Sequence, residues 1–354
     1  MSKNRKLRSR KAGMPPGSLV HIGEVKTEQP VFTLIDFDRE ACEESQPISA
    51  EALAHQPQGR TTRWANVYGL HDAASLATAC NRFGLHPLVQ EDILNTSQRQ
   101  KVERYDNYLY IVLHRYDLKD TPLELHPEQI SLVVGRDFLL SFQERPSKTF
   151  EPVRQRLRAE HNTLRSGGAS VLAYSLIDAT VDSYFSLIEQ LSEHAEQLES
   201  EILHQPKPST LEGIHQLKRC ISGLRRDLYP LREVLSALHR DAGDFFADDI
   251  QLYLRDVYDH SVHIIESLED LRDLATGLLD VYLSTVSHRL NLEVRTLTVA
   301  ATIFMPATLI AGIFGMNFHE MPWLEKPDGF QLAIGLMACI ATIMLLLFWR
   351  RKYL

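Results

Sequence analysis

The period of the apolar positions divides the chain into segments. Between Val31 and Gln143, apolar residues come in short alternating or continuous runs, VFTLIDF, RWANVYG, YLYIVLHRY, QISLVVG and FLLSFQE, which predict β-strands. Among them, HDAASLATACNRFGL has the helical period, with Asp72 placed to cap its start and Gly84 to end it. Strands interrupted by helices predict an α+β protein with a mixed α/β domain over residues 19–165. The period is helical from there on. Residues 170–203 and 211–241 are amphipathic and charge-rich, and the intervening QPKPST reads as a turn, so 166–244 is expected to be an antiparallel helix pair. No proline falls between Asp248 and Arg295, and the helical pattern runs straight into an uncharged stretch. A single stalk helix of about 70 residues, about 100 Å long, is expected, and it needs lateral support from its own domain or from copies of itself.

Charge then disappears twice. No Asp, Glu, Lys or Arg occurs from Thr296 to His319, nor from Gly329 to Trp349. Each stretch exceeds the ~20 residues a helix needs to cross a ~30 Å hydrocarbon layer. Spans over 296–317 and 330–349 are expected, joined by a short loop at 318–329. Arg350, Arg351 and Lys352 follow the second span in the tail 350–354, which places the C-terminus in the cytoplasm. With two spans, the N-terminus and the stalk at 245–295 are then cytoplasmic too, in a multi-pass protein of the inner (plasma) membrane.

Composition alone hides this segregation. The 354 residues have 38 Lys+Arg, 46 Asp+Glu and a net charge of −8, and their mean hydropathy of −0.19 is that of a soluble protein. From residue 296 onward, four basic residues oppose three acidic ones, so the preceding part carries −9. That acidity argues against a nucleic-acid partner. Cys42, Cys80, Cys220 and Cys339 are widely spaced and fit neither a disulfide framework nor a metal knuckle. The tail at 1–18 holds Lys3, Arg5, Lys6, Arg8, Arg10 and Lys11 without an apolar run after it, so it is not a secretory signal. It reads as a solvated basic tail, with contact to anionic lipid as the alternative.

One face of the long helix is unusual. Alternating steps of three and four from Asp273 reach Gly277, Asp280, Ser284, Ser287, Asn291, Val294, Thr298, Ala301, Met305, Thr308, Gly312 and Gly315. This face is small, polar and acidic, then apolar near Val294 to Met305. Close helix packing through small residues is one explanation. A water-filled axis with an apolar constriction is the other, and Asp280 and Asn291 favour it because unpaired polar groups in a dry seam are costly.

The first span ends in Gly315-Met316-Asn317, which on its own reads as a helix C-cap. Asn317 offers a neutral carbonyl, and a ring of such oxygens would accept hydrogen bonds from water held by a cation. Mg2+, which sheds its waters reluctantly, is the natural candidate.

Taken together, GMN before the last span, ATIFMPATLIAGIFGMNF, TGLLDVYLSTVSHRLN, LYLRDVYDH, LHPLVQEDILN and VERYDNYLYIVL resemble the CorA family of magnesium transporters. The resemblance implies a homopentamer with a funnel-shaped cytoplasmic domain and the first spans around a pore. It implies Gly315, Met316 and Asn317 as the selectivity filter, with Asp280, Asn291, Val294, Leu297, Ala301, Met305 and Thr308 along the pore. Leu297 takes the turn that the 3-4 stepping assigns to Thr298. The family also senses intracellular Mg2+ between neighbouring subunits, and its acidic positions match Asp92 and Asp256, with Glu91 and Asp178 in a neighbouring site. Mg2+ is then both the transported and the regulatory ion. Many relatives carry Met-Pro-Glu-Leu after the filter, whereas this chain has Met321-Pro322-Trp323-Leu324 with its outer carboxylates at Glu320 and Glu325. Zinc-transporting relatives carry isoleucine within the motif, so Met316 favours the magnesium branch.

The expected activity is passive, potential-driven transport of Mg2+, with Co2+ and Ni2+ as further candidates. The alternatives are the zinc branch and a membrane-anchored metal sensor without flux. An enzyme is not expected: the chain has no HExxH, GxSxG or GxxxxGK[ST] motif.

Overall fold

The computed structural model describes residues 13–51, 53, 62–120, 122–159, 163–241, 243, 245–316 and 328–351. The chain forms two compact units, Met1–Glu199 with Leu211–Gly277, and Ser200–Thr210 with Leu278–Leu354.

The first unit is organised by a seven-stranded sheet. Its strands are β1 (Val31–Phe37), β2 (Cys42–Ile48), β3 (Thr62–Tyr68), β4 (Lys101–Arg104), β5 (Tyr108–Asp120), β6 (Leu123–Gly135) and β7 (Phe138–Gln143). They lie in the order β2-β1-β3-β7-β6-β5-β4, and every pair is antiparallel except β3 with β7. Alternate residues face opposite sides. Phe32, Leu34, Ala65, Val67, Tyr110, Val112, Val133, Leu140 and Phe142 join a core with α1 (Ala73–Arg82) and α2 (Pro87–Leu94). On the other side Trp64 donates its indole N–H to Ser141 Oγ at 2.8 Å and packs edge-on against Phe150, at the start of α3 (Glu151–Arg158).

The ends of α1 follow from single residues. Asp72 accepts from the amides of Ala74 and Ser75 at 3.1 and 3.2 Å, satisfying two otherwise orphaned donors. Gly84 takes φ +67°, and Gly84 and Leu85 return their amides to Asn81 and Cys80, which closes the helix. A four-residue helix, α4 (Thr163–Ser166), precedes the antiparallel pair α5 (Gly168–His204) and α6 (Pro208–Asp241). Gly213 lets the pair approach closely, since a Cβ there would meet Leu198 Cδ2 at 2.7 Å. The pair is joined to the sheet by buried polar contacts. Tyr184 donates to the His114 carbonyl at 2.8 Å, and Gln100 donates to the Asp227 carbonyl at 2.7 Å. His114 Nδ1 lies 2.9 Å from the Asp227 carboxylate, which also accepts from Tyr116.

The long helix is α7 (Asp248–Phe314), 67 residues without a break, and the last helix is α8 (Gly329–Arg350). Within the second unit, Tyr282 on α7 donates to the Lys207 carbonyl at 3.4 Å. Among the described residues, three helices are long and apolar enough to cross a membrane. In α5 half of the most apolar window is buried, which makes it a core helix, whereas in α7 and α8 only 6% is. Apolar surface of that extent requires lipid or other protein around it.

The structure differs from expectation at a few elements. β2, β4, α3 and α4 appear where no element was expected. The turn between α5 and α6 is shorter than QPKPST, because Pro208 opens α6, where its fixed φ and missing N–H cost nothing.

Candidate ion pathway and acidic cluster

Within its apolar half, only one stripe of α7 is covered by the rest of the chain. Val299 is buried, and Thr302, Ile303, Pro306, Ala307 and Ile310 are partly covered. At about 100° per residue, Val294, Ala301, Met305, Thr308, Gly312 and Gly315 fall on the opposite side, and all six are exposed. Leu297 and Thr298 flank the centre of that face at similar angles, so the two sequence-based choices for this turn are neighbours on one surface. Asn291 and Asp280 are exposed nearer the start of α7. Thr298 and Thr308 donate their hydroxyl protons to the carbonyls of Val294 and Phe304, at 2.7 and 2.9 Å. The proton is thereby held by the helix, and the hydroxyl oxygen is left as an outward-facing acceptor. Gly315 and Met316 are exposed at the helix end, while Asn317, Glu320 and Glu325 lie outside the described residues.

A second feature belongs to the first unit. Asp178 and Asp182 on α5, and Asp256 and His260 on α7, are each four residues apart, so each pair shares a helix face. Ligand atoms of Asp178, Asp182 and His260 lie within 4.8 Å of one another. The His260 ring nitrogens are 3.9 Å from Asp182 Oδ1 and 3.7 Å from Asp256 Oδ2, with Phe185 edge-on to the ring at 5.7 Å. Burial pushes the Asp178 carboxyl up to about 6, and the nearby Asp182 and Asp256 charges push the same way. The donor set fits a divalent cation: carboxylates suit Mg2+, and an imidazole extends the range to transition metals.

Glu91 and Asp92 occupy a separate neighbourhood on α2. Glu91 accepts from the Gly17 amide. Asp92 has both carboxylate oxygens engaged: Lys101 Nζ is 2.7 Å from Oδ2, and the Gln98 amide donates to Oδ1. Gln129 holds the Asp92 carbonyl at 3.2 Å.

Residues 59–352 match the family described as "CorA-like Mg2+ transporter protein". The chain belongs to this family. It is 41% identical over 346 residues, 98% of each chain, to the cobalt/magnesium transport protein CorA of Thermotoga maritima. It is 26% identical to the protein of that name from Methanocaldococcus jannaschii over 268 residues, 76% of this chain and 75% of the relative. The complete structure of the CorA magnesium transporter from Methanocaldococcus jannaschii shares the fold, with a TM-score of 0.74 at 20% identity, covering 92% of this chain and 99% of that one.

For a CorA-family protein, a mixed sheet followed by long helices and two C-terminal membrane helices is the expected architecture. Of the four acidic residues that the resemblance linked to Mg2+ sensing, a single chain brings Asp178 and Asp256 together and leaves Glu91 and Asp92 with other partners. Sequence reasoning missed Asp182 and His260, although the four-residue spacings in DATVDS and DVYDH carried the signal. It also missed Lys101, which reaches from β4 to Asp92 on α2, a contact between two elements that is invisible in local spacing.

Proposed function

We propose that the protein is a homopentameric, passive channel for Mg2+ that also admits Co2+, driven by the membrane potential and closed by intracellular Mg2+. The observation that carries this reading is the exposed face of α7 from Val294 to Gly315, opposite the stripe the chain covers itself. Five such faces around an axis would line a path. Thr298 and Thr308 oxygens would supply neutral acceptors, and Val294, Leu297 and Met305 an apolar constriction. At its outer end, Gly315, Met316 and Asn317 would form the filter, where amide oxygens hold the waters of a hydrated cation without trapping it. Glu320 and Glu325 would concentrate cations at the mouth. An inside-negative potential of 100 mV favours divalent entry by about 4.6 kcal/mol, so no other energy source is needed.

In the same reading, both termini face the cytoplasm and the membrane is the cell's inner one. Mg2+ held between subunits by Asp92 and Asp256, with Glu91 and Asp178 at a neighbouring site, would offset carboxylate repulsion and stabilise the closed assembly. The names of the T. maritima and M. jannaschii relatives support Mg2+ and Co2+ as cargo.

Flux into liposomes containing the purified protein tests the proposal. Wild type should pass Mg2+ and Co2+, and Asn317→Ala should abolish the preference for Mg2+ or the flux itself. A well-assembled Asn317→Ala variant with unchanged flux and selectivity would reject the filter. No flux in wild type would favour an anchored sensor instead.

A further inference from the structure

Asp92 already holds a cation belonging to the protein. Lys101, on the edge strand β4, places its ammonium 2.7 Å from Asp92 Oδ2. The pair is largely shielded, with the side chains 27% and 17% exposed. The same ammonium reaches Glu103 Oε1 and lies 5.6 Å from the centre of the Tyr110 ring. Glu103 is itself steadied by the Tyr105 hydroxyl at 3.2 Å. Lys101 therefore has two carboxylate partners, one on α2 and one on its own strand.

We propose that Lys101 is a tethered counter-ion that occupies Asp92 in the absence of Mg2+ and withdraws to Glu103 when Mg2+ binds, thereby setting the concentration at which the regulatory site responds. This deepens the regulatory reading of Asp92 and rests on it. A divalent ion cannot take Asp92 Oδ2 while an ammonium sits 2.7 Å away. The apparent affinity is reduced by the fraction of time the carboxylate is occupied. Withdrawal does not strand a charge, because Glu103 and the Tyr110 face remain beside the ammonium. The Gln98 amide on Oδ1 is neutral and can stay while the exchange takes place on Oδ2. The response threshold is thus built into the relative hold of two carboxylates on one lysine.

Two substitutions move the threshold in opposite directions. The readout is protection of the full-length protein from limited proteolysis as Mg2+ is titrated. Lys101→Gln should lower the half-protecting Mg2+ concentration by roughly three- to tenfold. Glu103→Gln removes the alternative partner, leaves Lys101 on Asp92 and should raise it. Lys101→Arg keeps the charge on Asp92, where its guanidinium can bind the carboxylate with two bonds, and should not lower the threshold. If Lys101→Gln raises the threshold or leaves it unchanged while Asp92→Ala shifts it, the counter-ion role is wrong and the Asp92 site stands. If Asp92→Ala leaves the curve unchanged, the regulatory reading falls and the counter-ion role with it. A fall with Lys101→Arg as large as that with Lys101→Gln would assign the effect to packing and overturn the proposal. Should Lys101→Gln fail to fold, Glu103→Gln still decides, since an unchanged or lowered threshold contradicts the exchange.

Discussion

Asp178 is destabilised as a carboxylate when its cluster holds no ion, because burial and two nearby carboxylates all oppose its charge. Asp178→Asn should therefore raise the melting temperature in EDTA, by up to about 1 kcal/mol of stability after solvent screening. It should also shrink the further rise that Mg2+ produces in wild type. Equal Mg2+ increments in both proteins would remove Asp178 from the metal site. Asp227 is the opposite case. Hydrogen bonds from His114 and Tyr116 outweigh its burial and hold its carboxyl below the ordinary range. Its contribution is complete above the ordinary Asp range and is lost as the pH falls through the lowered one. Asp227→Ala, which leaves His114 and Tyr116 without their acceptor, should cost about 1–3 kcal/mol at neutral pH. The deficit should narrow on acidification, and a constant deficit down to strongly acid pH would contradict the assignment. Asp178, Asp256, Glu91 and Asp92 were reached only through the family resemblance. A lone acid on a helix carries no local signal of function, while Asp227 becomes meaningful only when β5 and α6 are packed together.

At the scale of elements, the sequence revealed what was buried and missed what lay at the edge. β1, β3, β5, β6 and β7 have apolar inward faces and were legible from their alternation. β2 (CEESQPI) and β4 (KVER) are the two outermost strands, and their polar or charged residues, with Pro47 in β2, suit exposed edges that must not pair further. The course of α7 was legible because no interruption precedes the charge-free span. Its outward face was legible because small and polar residues kept a constant step. That face makes a prediction. If Val294, Leu297 and Met305 form an apolar constriction that intracellular Mg2+ closes, as proposed, Leu297→Ser should wet it and raise residual flux several-fold in liposomes loaded with high Mg2+. Leu297→Ile should not. Equal leakage from both would show that size, not polarity, controls the passage.

One chain supplies two apolar helices, and two helices cannot enclose an aqueous path. Val294, Leu297 and Met305, each more than 60% exposed, would face lipid if the chain stood alone, and so would the polar Thr308 and Asn291 beside them. A ring of identical copies would solve both problems, because each copy would then turn this face toward a shared axis and its remaining apolar surface toward lipid. The arrangement can be tested without an assay of transport. In a background with the four cysteines replaced by alanine, Thr308→Cys places one thiol per chain on the outward face, and Ile303→Cys places one on the self-covered stripe. Around a shared axis, mild oxidation should convert Thr308→Cys to a disulfide dimer in membranes, each chain having a single thiol. Ile303→Cys should remain monomeric. If, as proposed, Mg2+ closes the faces together, raising Mg2+ should alter the rate of the Thr308→Cys reaction. Crosslinking at Ile303→Cys with none at Thr308→Cys would turn the helix around. The face from Asn291 to Gly315 would then belong to the lipid, and the path for the ion would have to be sought along the stripe that includes Val299 and Pro306.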